Sequence, residues 1–95
     1  MIYNGYTIVK GAVVMTDKRL LLCGRRIREL REENDWYMED LAQKTGLSIG
    51  SIHNYENAVK APGYFSLLKL VEVFDENAEY IMGLSDVRRV KKEAK

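Results

Sequence analysis

The chain of 95 residues has almost none of the residue types that build disulfide or metal-bound frameworks. It contains one cysteine, Cys23, and one histidine, His53, so it forms no internal disulfide and offers no set of soft ligands at metal-site spacing. A single proline, with 46% apolar and 31% charged residues, excludes disordered and collagen-like chains. The sequence therefore predicts one folded domain that needs no metal and no cofactor.

Long apolar runs are also missing. The longest stretch without charge, Thr45 to Tyr55, is interrupted by glycine, hydroxyl and amide residues, whereas a membrane span needs roughly 20 apolar residues. Residues 1–10 have no basic start and are broken by Asn4 and Gly5, unlike a secretory signal. We therefore expect no membrane contact and a cytoplasmic location, in keeping with the single cysteine.

The chain also lacks an excess of charge of one sign, since its net charge is only +1. Residues 84–95 nevertheless carry five bases against two acids, and this basic tail is either a solvated end or a contact to a polyanion. The chain has no glycine-rich phosphate loop and no paired catalytic acids, and Cys23 and His53 fall on different predicted helices. An enzyme is therefore not expected.

From Asp17 onward the apolar residues recur at helical spacing. The first helix is predicted from Asp17, with Thr16 as its N-cap, to Asn34-Asp35, with its arginines and glutamates on the face away from the core. Ser48 and Asn77 are the expected N-caps of the third and fifth helices. Four more helices are predicted, over about Tyr37 to Gly46, Ile49 to Asn57, Tyr64 or Ser66 to Phe74, and Ala78 to Met82.

Residues 1–15 have a different pattern, since Ile, Val, Tyr and Thr crowd between Asn4-Gly5 and Gly11. This composition is typical of strands and hairpins, and a lone hairpin is marginal by itself. The segment either packs on the helices, pairs with another chain as a dimer arm or as a docking strand for a protein partner, or is a loose extension. We expect an N-terminal extension over 1–15, a helical domain over 16–86 and a basic tail over 87–95.

The second and third predicted helices satisfy the spacing of a DNA-reading helix-turn-helix. Counted from Met38 as the first position, Ala42 is fifth and Gly46 is ninth. Ala42 is small where the next helix crosses it, and Gly46 permits the turn. The remaining apolar positions hold the pair to the rest of the bundle, and they are Leu41, Leu47, Ile52 and Tyr55.

Over about residues 24–85 the chain resembles the phage-repressor-like helix-turn-helix domains (lambda Cro/C1, XRE-type). The resemblance rests on GRRIRELR at 24–31, EDLAQKTGLS at 39–48, SIHNYEN at 51–57, Pro62, and AEYIMGLSD at 78–86. It implies an all-α, five-helix lambda-repressor-like bundle, usually a homodimer, whose third helix enters the major groove of a double-stranded operator.

The implied function is a sequence-specific DNA-binding transcriptional regulator, a repressor of a phage, mobile-element or bacterial operon. The alternative is an antitoxin-like or anti-repressor-like module of the same fold that binds a partner protein.

The resemblance also assigns roles to residues around the third helix. Base-reading positions fall on Ile49, Gly50, His53 and Asn54, and the Asn54 carboxamide is suited to an adenine edge. Ser48 and Ser51 stand where hydroxyls reach phosphate, and Asn57 and Lys60 match a turn that grips the DNA backbone. The expected DNA contacts are completed by Tyr37, Met38 and Gln43.

Some positions depart from the family pattern. Tyr37-Met38 replaces a Thr or Ser cap followed by Gln, Ile49-Gly50 replaces a polar pair, and Ala58-Val59 replaces Gly-Lys. The third helix has no Lys or Arg. We therefore expect weak DNA binding that depends on dimerisation and on the basic C-terminal tail. Arg31 and Glu56 match the family's ion pair between the first helix and the recognition unit.

Overall fold

The computed structural model describes residues 6–9, 12–15 and 18–90. In this part of the chain an antiparallel hairpin precedes five helices, which confirms the predicted helical bundle. The elements are β1 (Tyr6–Val9), β2 (Ala12–Met15), α1 (Lys18–Glu33), α2 (Met38–Thr45), α3 (Ile49–Glu56), α4 (Tyr64–Phe74) and α5 (Ala78–Ile81). The predicted start of the first helix, at Thr16 and Asp17, lies outside the described residues.

The hairpin pairs Tyr6 with Met15 and Val9 with Ala12. Its strands hold the β-branched residues that favour extended backbone, as the composition of residues 1–15 predicted. Its role as a dimer arm or docking strand stays a prediction.

The core takes one fully buried aliphatic side chain from every helix. Burying such a side chain stabilises the fold by about 1.5–3 kcal/mol, so the five helices depend on one another. Cys23 on α1 is part of the same core, as predicted. Burial raises the pKa of its thiol to about 11 against the opposing effect of Arg26, and the thiol is therefore neutral. The five aliphatic residues are Ile27, Leu41, Ile52, Leu70 and Ile81.

Helix α1 lies unusually close to the end of α3. A Cβ atom on Gly24 would stand 2.6 Å from the Tyr55 carbonyl oxygen and 2.9 Å from that of Glu56. Both distances are shorter than a carbon and an oxygen tolerate, and the obstacle is backbone. Only glycine permits this approach, which sets the position of α3 against the bundle.

Arg26 contradicts the prediction that all arginines of the first helix face away from the core. Its side chain is 8% exposed. The guanidinium donates to the carbonyls of Tyr80, at 2.6 Å, and Ser85, at 2.7 Å, and pairs with Asp86 at 2.7 Å. It also lies 4.0 Å from the centroid of the Tyr80 ring. Arg26 is buried because its guanidinium bonds two carbonyls and a carboxylate at the end of the short helix α5, where the last carbonyls of a helix lack partners of the ordinary helical kind.

The segment after α5 is held by a second buried charge, Glu76, whose side chain is 0% exposed. Its carboxylate accepts from Arg88 Nε at 2.9 Å, from the Asn77 N–H at 3.0 Å and from the Arg89 N–H. Arg88 also bonds both carboxylate oxygens of Glu33 at 3.0 Å. The first arginines of the basic tail are therefore bonded to the bundle's own acids.

Asn77 stands at the N-cap position of α5, as predicted, but its side chain does not act as the cap. Its side chain makes no cap hydrogen bond and donates instead to the Val87 carbonyl at 3.3 Å. The reason is the adjacent Glu76. Its carboxylate accepts the Asn77 N–H, and it also bonds Arg88 and Arg89, which places the segment after α5 within reach of the Asn77 side chain.

Glu76→Gln should lower the free energy of unfolding at pH 7 by about 1–3 kcal/mol, because the amide replaces the charged acceptor of Arg88 Nε and leaves only Glu33 paired with that guanidinium. Burial alone raises the pKa of Glu76, but the hydrogen bonds from Arg89, Arg88 and Asn77 outweigh it and hold the pKa below its ordinary value. The stabilisation is therefore complete at neutral pH and is lost as acid protonates the folded state.

Urea unfolding at pH 7 and at an acidic pH below the ordinary range of a glutamate carboxyl measures this difference. The exposed carboxylate of Glu72, changed to Gln, is the control. An equal deficit of Glu76→Gln at both pH values would contradict the assignment.

Candidate nucleic-acid interface

The turn between α2 and α3 is closed by local hydrogen bonds. Gly46 takes φ 77°, in the left-handed region, and its N–H donates to the Ala42 carbonyl at 2.8 Å. The hydroxyl of buried Thr45 donates to the Leu41 carbonyl at 2.7 Å and accepts from the Leu47 N–H at 3.2 Å. These bonds fix the angle at which α3 leaves α2, as the spacing predicted.

The start of α2 compensates for its missing hydroxyl cap. The Tyr37 N–H donates to the Asp40 carboxylate at 2.8 Å, which is the reciprocal half of a capping box. Glu39 and Asp40 also place negative charge in the first turn, where the helix dipole favours it. The Tyr37 side chain is exposed, whereas Met38 packs against the core and offers less surface for a DNA contact.

The start of α3 is capped by Ser48, as predicted. Its hydroxyl accepts from the Ser51 N–H at 3.0 Å and donates to the Ser51 hydroxyl at 3.0 Å. The two expected phosphate-contacting hydroxyls therefore lie side by side, with Ser48 exposed and Ser51 half-buried.

The outer face of α3 is neutral and unpartnered. Ile49 is 47% exposed, Gly50 and His53 are exposed, and Asn54 is half-buried, while Ile52 and Tyr55 face the core. Within the described part of the chain, the side chains of His53 and Asn54 make no hydrogen bond. Their polar edges are therefore available to a molecule outside the chain.

The end of α3 is a left-handed cap on a residue other than glycine. Ala58 takes φ 57°. Its N–H donates to the Tyr55 carbonyl at 3.2 Å, and the Val59 N–H donates to the Asn54 carbonyl at 2.8 Å, which is the Schellman pattern. Asn57 donates from its carboxamide to the His53 carbonyl at 2.8 Å, so part of its donor capacity is used within the helix. Lys60 follows, exposed.

The predicted ion pair between α1 and α3 is confirmed. Arg31 Nε lies 2.7 Å from Glu56 Oε2, and the Glu56 side chain is 0% exposed. The hydrogen bond to Glu56 raises the pKa of Arg31 above its ordinary value, and a further bond of 2.8 Å reaches the Trp36 carbonyl. Arg31 therefore links α1 to the end of α3 and to the segment that precedes α2.

Arg28 is a residue that the sequence reasoning missed. It lies 3.4 Å from Glu56 with its side chain 45% exposed, so a guanidinium stands beside the end of α3. The available signal was its spacing of three from Arg31, which places both side chains on one face of α1. Gln43 and Lys44 are exposed on α2, and Lys44 lies 4.9 Å from the centroid of the Trp36 ring.

The described residues contain no group of His, Cys, Asp or Glu side chains that would hold a metal ion. None of the helices found in 18–90 is long and apolar enough to cross a membrane.

A family model described as a helix-turn-helix domain matches residues 24–87. Among curated proteins, the uncharacterized HTH-type transcriptional regulator YobD of Bacillus subtilis (strain 168) is 37% identical over 65% of this chain and 55% of its own length. The HTH-type transcriptional regulator ImmR of the same strain is 26% identical over 70% of this chain and 52% of its own length. The chain thus spans about half the length of these relatives.

Two solved structures have the same arrangement of helices. The restriction-modification controller protein C.AhdI from Aeromonas hydrophila is 26% identical with a TM-score of 0.63, over 68% of this chain and 98% of that one. The P22 c2 repressor protein, solved in complex with a synthetic operator, is 25% identical with a TM-score of 0.64, over 67% and 97%.

Ala58→Gly should raise the free energy of unfolding by about 1 kcal/mol, because glycine removes the steric cost of the left-handed conformation. Gly46→Ala is the reverse substitution at a comparable position, since Gly46 also has a positive φ and an added Cβ atom would meet nothing within 4 Å. This variant should lower the free energy of unfolding by a similar amount. Urea unfolding measures both. A glycine at 58 that leaves stability unchanged or lowers it would refute the assigned backbone strain.

Proposed function

The chain belongs to the helix-turn-helix domain family, as its XRE-type resemblance predicts, and from this premise we propose that it is a sequence-specific DNA-binding transcriptional regulator. It acts as a repressor of a phage, mobile-element or bacterial operon, in the cytoplasm and without catalysis. The observation that carries the proposal is the exposed face of α3, where His53 and Asn54 have unused polar edges on a helix held outward by the turn at Gly46. The P22 c2 repressor was solved in complex with an operator, and the likeness of its fold to this chain supports the proposal.

Base reading is assigned to α3 and phosphate contact to its surroundings. Asn54 bonds an adenine edge in the major groove, and His53 lies one residue before it on the same exposed surface. Phosphates are held by the Ser48 and Ser51 hydroxyls, and by Lys60 after the cap. The remaining contacts proposed are those of Tyr37, Met38, Gln43, Ile49, Gly50 and Asn57.

The names of the relatives favour regulation of transcription over an antitoxin-like or anti-repressor-like role. The neutral face of α3 also has a consequence for affinity. With few phosphates neutralised, counterion release contributes little, and one short helix covers only part of a site. A second copy of the chain on an adjacent half-site supplies the missing contacts.

The surface assigned to this second copy is an apolar groove of about 250 Å³ beside α1. Its lining includes Leu20 from α1, Leu67 from α4 and Leu84 from the segment after α5. Tyr64 and Phe65, 70% and 77% exposed, begin α4, within three residues of Leu67 along the chain. Large exposed apolar side chains of this kind mark interaction sites.

Asn54→Ala should lower the preference for the operator by about 1–3 kcal/mol, since the adenine loses both of its bonds. Lys60→Ala should weaken operator and scrambled duplexes about equally and reduce the salt slope by about 1. The test is selection of random duplexes by the purified chain, followed by titration at two salt concentrations.

Lys69→Ala, which removes one exposed charge from α4, is the control and should bind as the parent does. The assignment fails if the Asn54 and Lys60 variants both bind like the parent.

Leu84→Asp should convert the dimer to a monomer, because a carboxylate cannot be buried in an apolar interface. The neighbouring control is Val87→Asp, at a residue 67% exposed that does not line the groove. Light scattering with and without operator DNA measures the molar mass. A parent that stays monomeric on DNA, or a Leu84→Asp variant that stays dimeric, would rule out this surface.

A further inference from the structure

The hairpin of β1 and β2 is not packed extensively on any of the described helices. Among the described elements, its two strands pack extensively only on each other. A two-stranded hairpin is at best marginally stable in water unless a further strand or a helix covers it. The family model begins at residue 24, so the hairpin also lies outside the part of the chain that the shared fold explains. The hairpin therefore calls for a partner beyond its own bundle.

The two strands carry no charged residue, and their register sorts them into two faces. Tyr6 is paired with Met15, and Ile8 is paired with Val13. Directly paired residues of an antiparallel ladder belong to the same face, and so do residues two apart along one strand. These four residues therefore define one face of the hairpin, the bulky face, and Thr7 belongs to the opposite face. An uncharged face of this kind is typical of an interaction surface.

The apolar groove lies at the place where the hairpin joins the bundle. Arg19 and Leu20, in the first turn of α1, line the groove together with Leu84. β2 ends at Met15, so only a few residues separate the hairpin from the edge of the groove. Leu21, the next residue of α1, is 60% exposed and extends the apolar surface. When two copies join through this groove, both hairpins start at the interface, within reach of the other copy.

We propose that each hairpin packs its bulky face over the groove of the second copy. The hairpin does not pack extensively on its own helices, so the groove of each copy is open to the hairpin of the other. The exchange is reciprocal, so a two-fold axis relates the two contacts and covers both grooves. It removes two apolar surfaces from water at once. The inference rests on the dimer of the proposed function and names the segment that closes it.

Ile8→Lys tests the hairpin, because it places a charge in the middle of the face proposed to be buried. Self-association should weaken about tenfold or more, so that the variant is a monomer where the parent is a dimer. Thr7→Lys is the matched control, since it adds the same charge on the opposite face, and it should stay dimeric. Circular dichroism of both variants should show an unchanged bundle, because the described core is built by helices.

A mixture of two monomeric variants distinguishes exchange between copies from packing within one chain. Ile8→Lys has an altered hairpin and an unaltered groove, whereas Leu84→Asp has the reverse. In a mixed dimer, one of the two contacts joins an unaltered hairpin to an unaltered groove. The mixture should therefore form dimers at concentrations at which each variant alone is monomeric. Light scattering of the separate and mixed proteins measures the molar mass.

Each contrary result identifies a different error. An Ile8→Lys variant that stays dimeric, or a mixture that stays monomeric, would overturn the exchange of hairpins and leave DNA recognition by α3 untouched. A parent that is monomeric with and without operator DNA would overturn the dimer and the exchange together. A parent that selects no duplex would refute the proposed function, whereas the exchange would still be measured by the mixing experiment without DNA.

Discussion

The position of α3, the helix proposed to read DNA, depends on the close approach of α1 to its end. Gly24 leaves no atom between the α1 backbone and the Tyr55 and Glu56 carbonyls, so α3 has one position against the bundle. The Glu56 carboxylate is fully buried as well, and a buried charge of this kind is tolerated only when it is paired. Arg31, with Arg28 beside it, supplies that pairing. The orientation of the outer face of α3 follows from this arrangement.

The chain uses much of its positive charge within its own fold. Arg26 binds carbonyls around α5, Arg31 binds Glu56, and Arg88 joins Glu33 and Glu76 across the bundle. Guanidinium groups suit these roles because their fixed forks bond several acceptors at once. The consequence is a reading surface with little charge of its own, where specificity must come from shape, from apolar contact and from the amide and imidazole edges of Asn54 and His53.

Much of the fold was predictable because its signals are local. A glycine at position 46 closes a helix, the hydroxyl of Ser48 caps the next one, and Ile52 and Tyr55 recur at the spacing of one buried helix face. These features need only neighbouring residues, so a pattern in the sequence contains them. The Arg31–Glu56 pair joins separate helices and became visible through the family resemblance.

The sequence by itself determined the five helices, the turn between α2 and α3 and which residues of α3 face away from the core, since the spacing of neighbouring residues dictates all of these. Only the tertiary structure decided which charged residues are buried. Arg26 and Glu76 look like surface residues in a pattern, yet the partners of Arg26 lie 54 to 60 positions away along the chain. Only the tertiary structure also distinguishes Gly24 from Gly50, which are both glycines within predicted helices. The packed neighbours of each glycine distinguish them, because one helix backbone blocks a side chain at Gly24 and nothing in the described fold blocks one at Gly50.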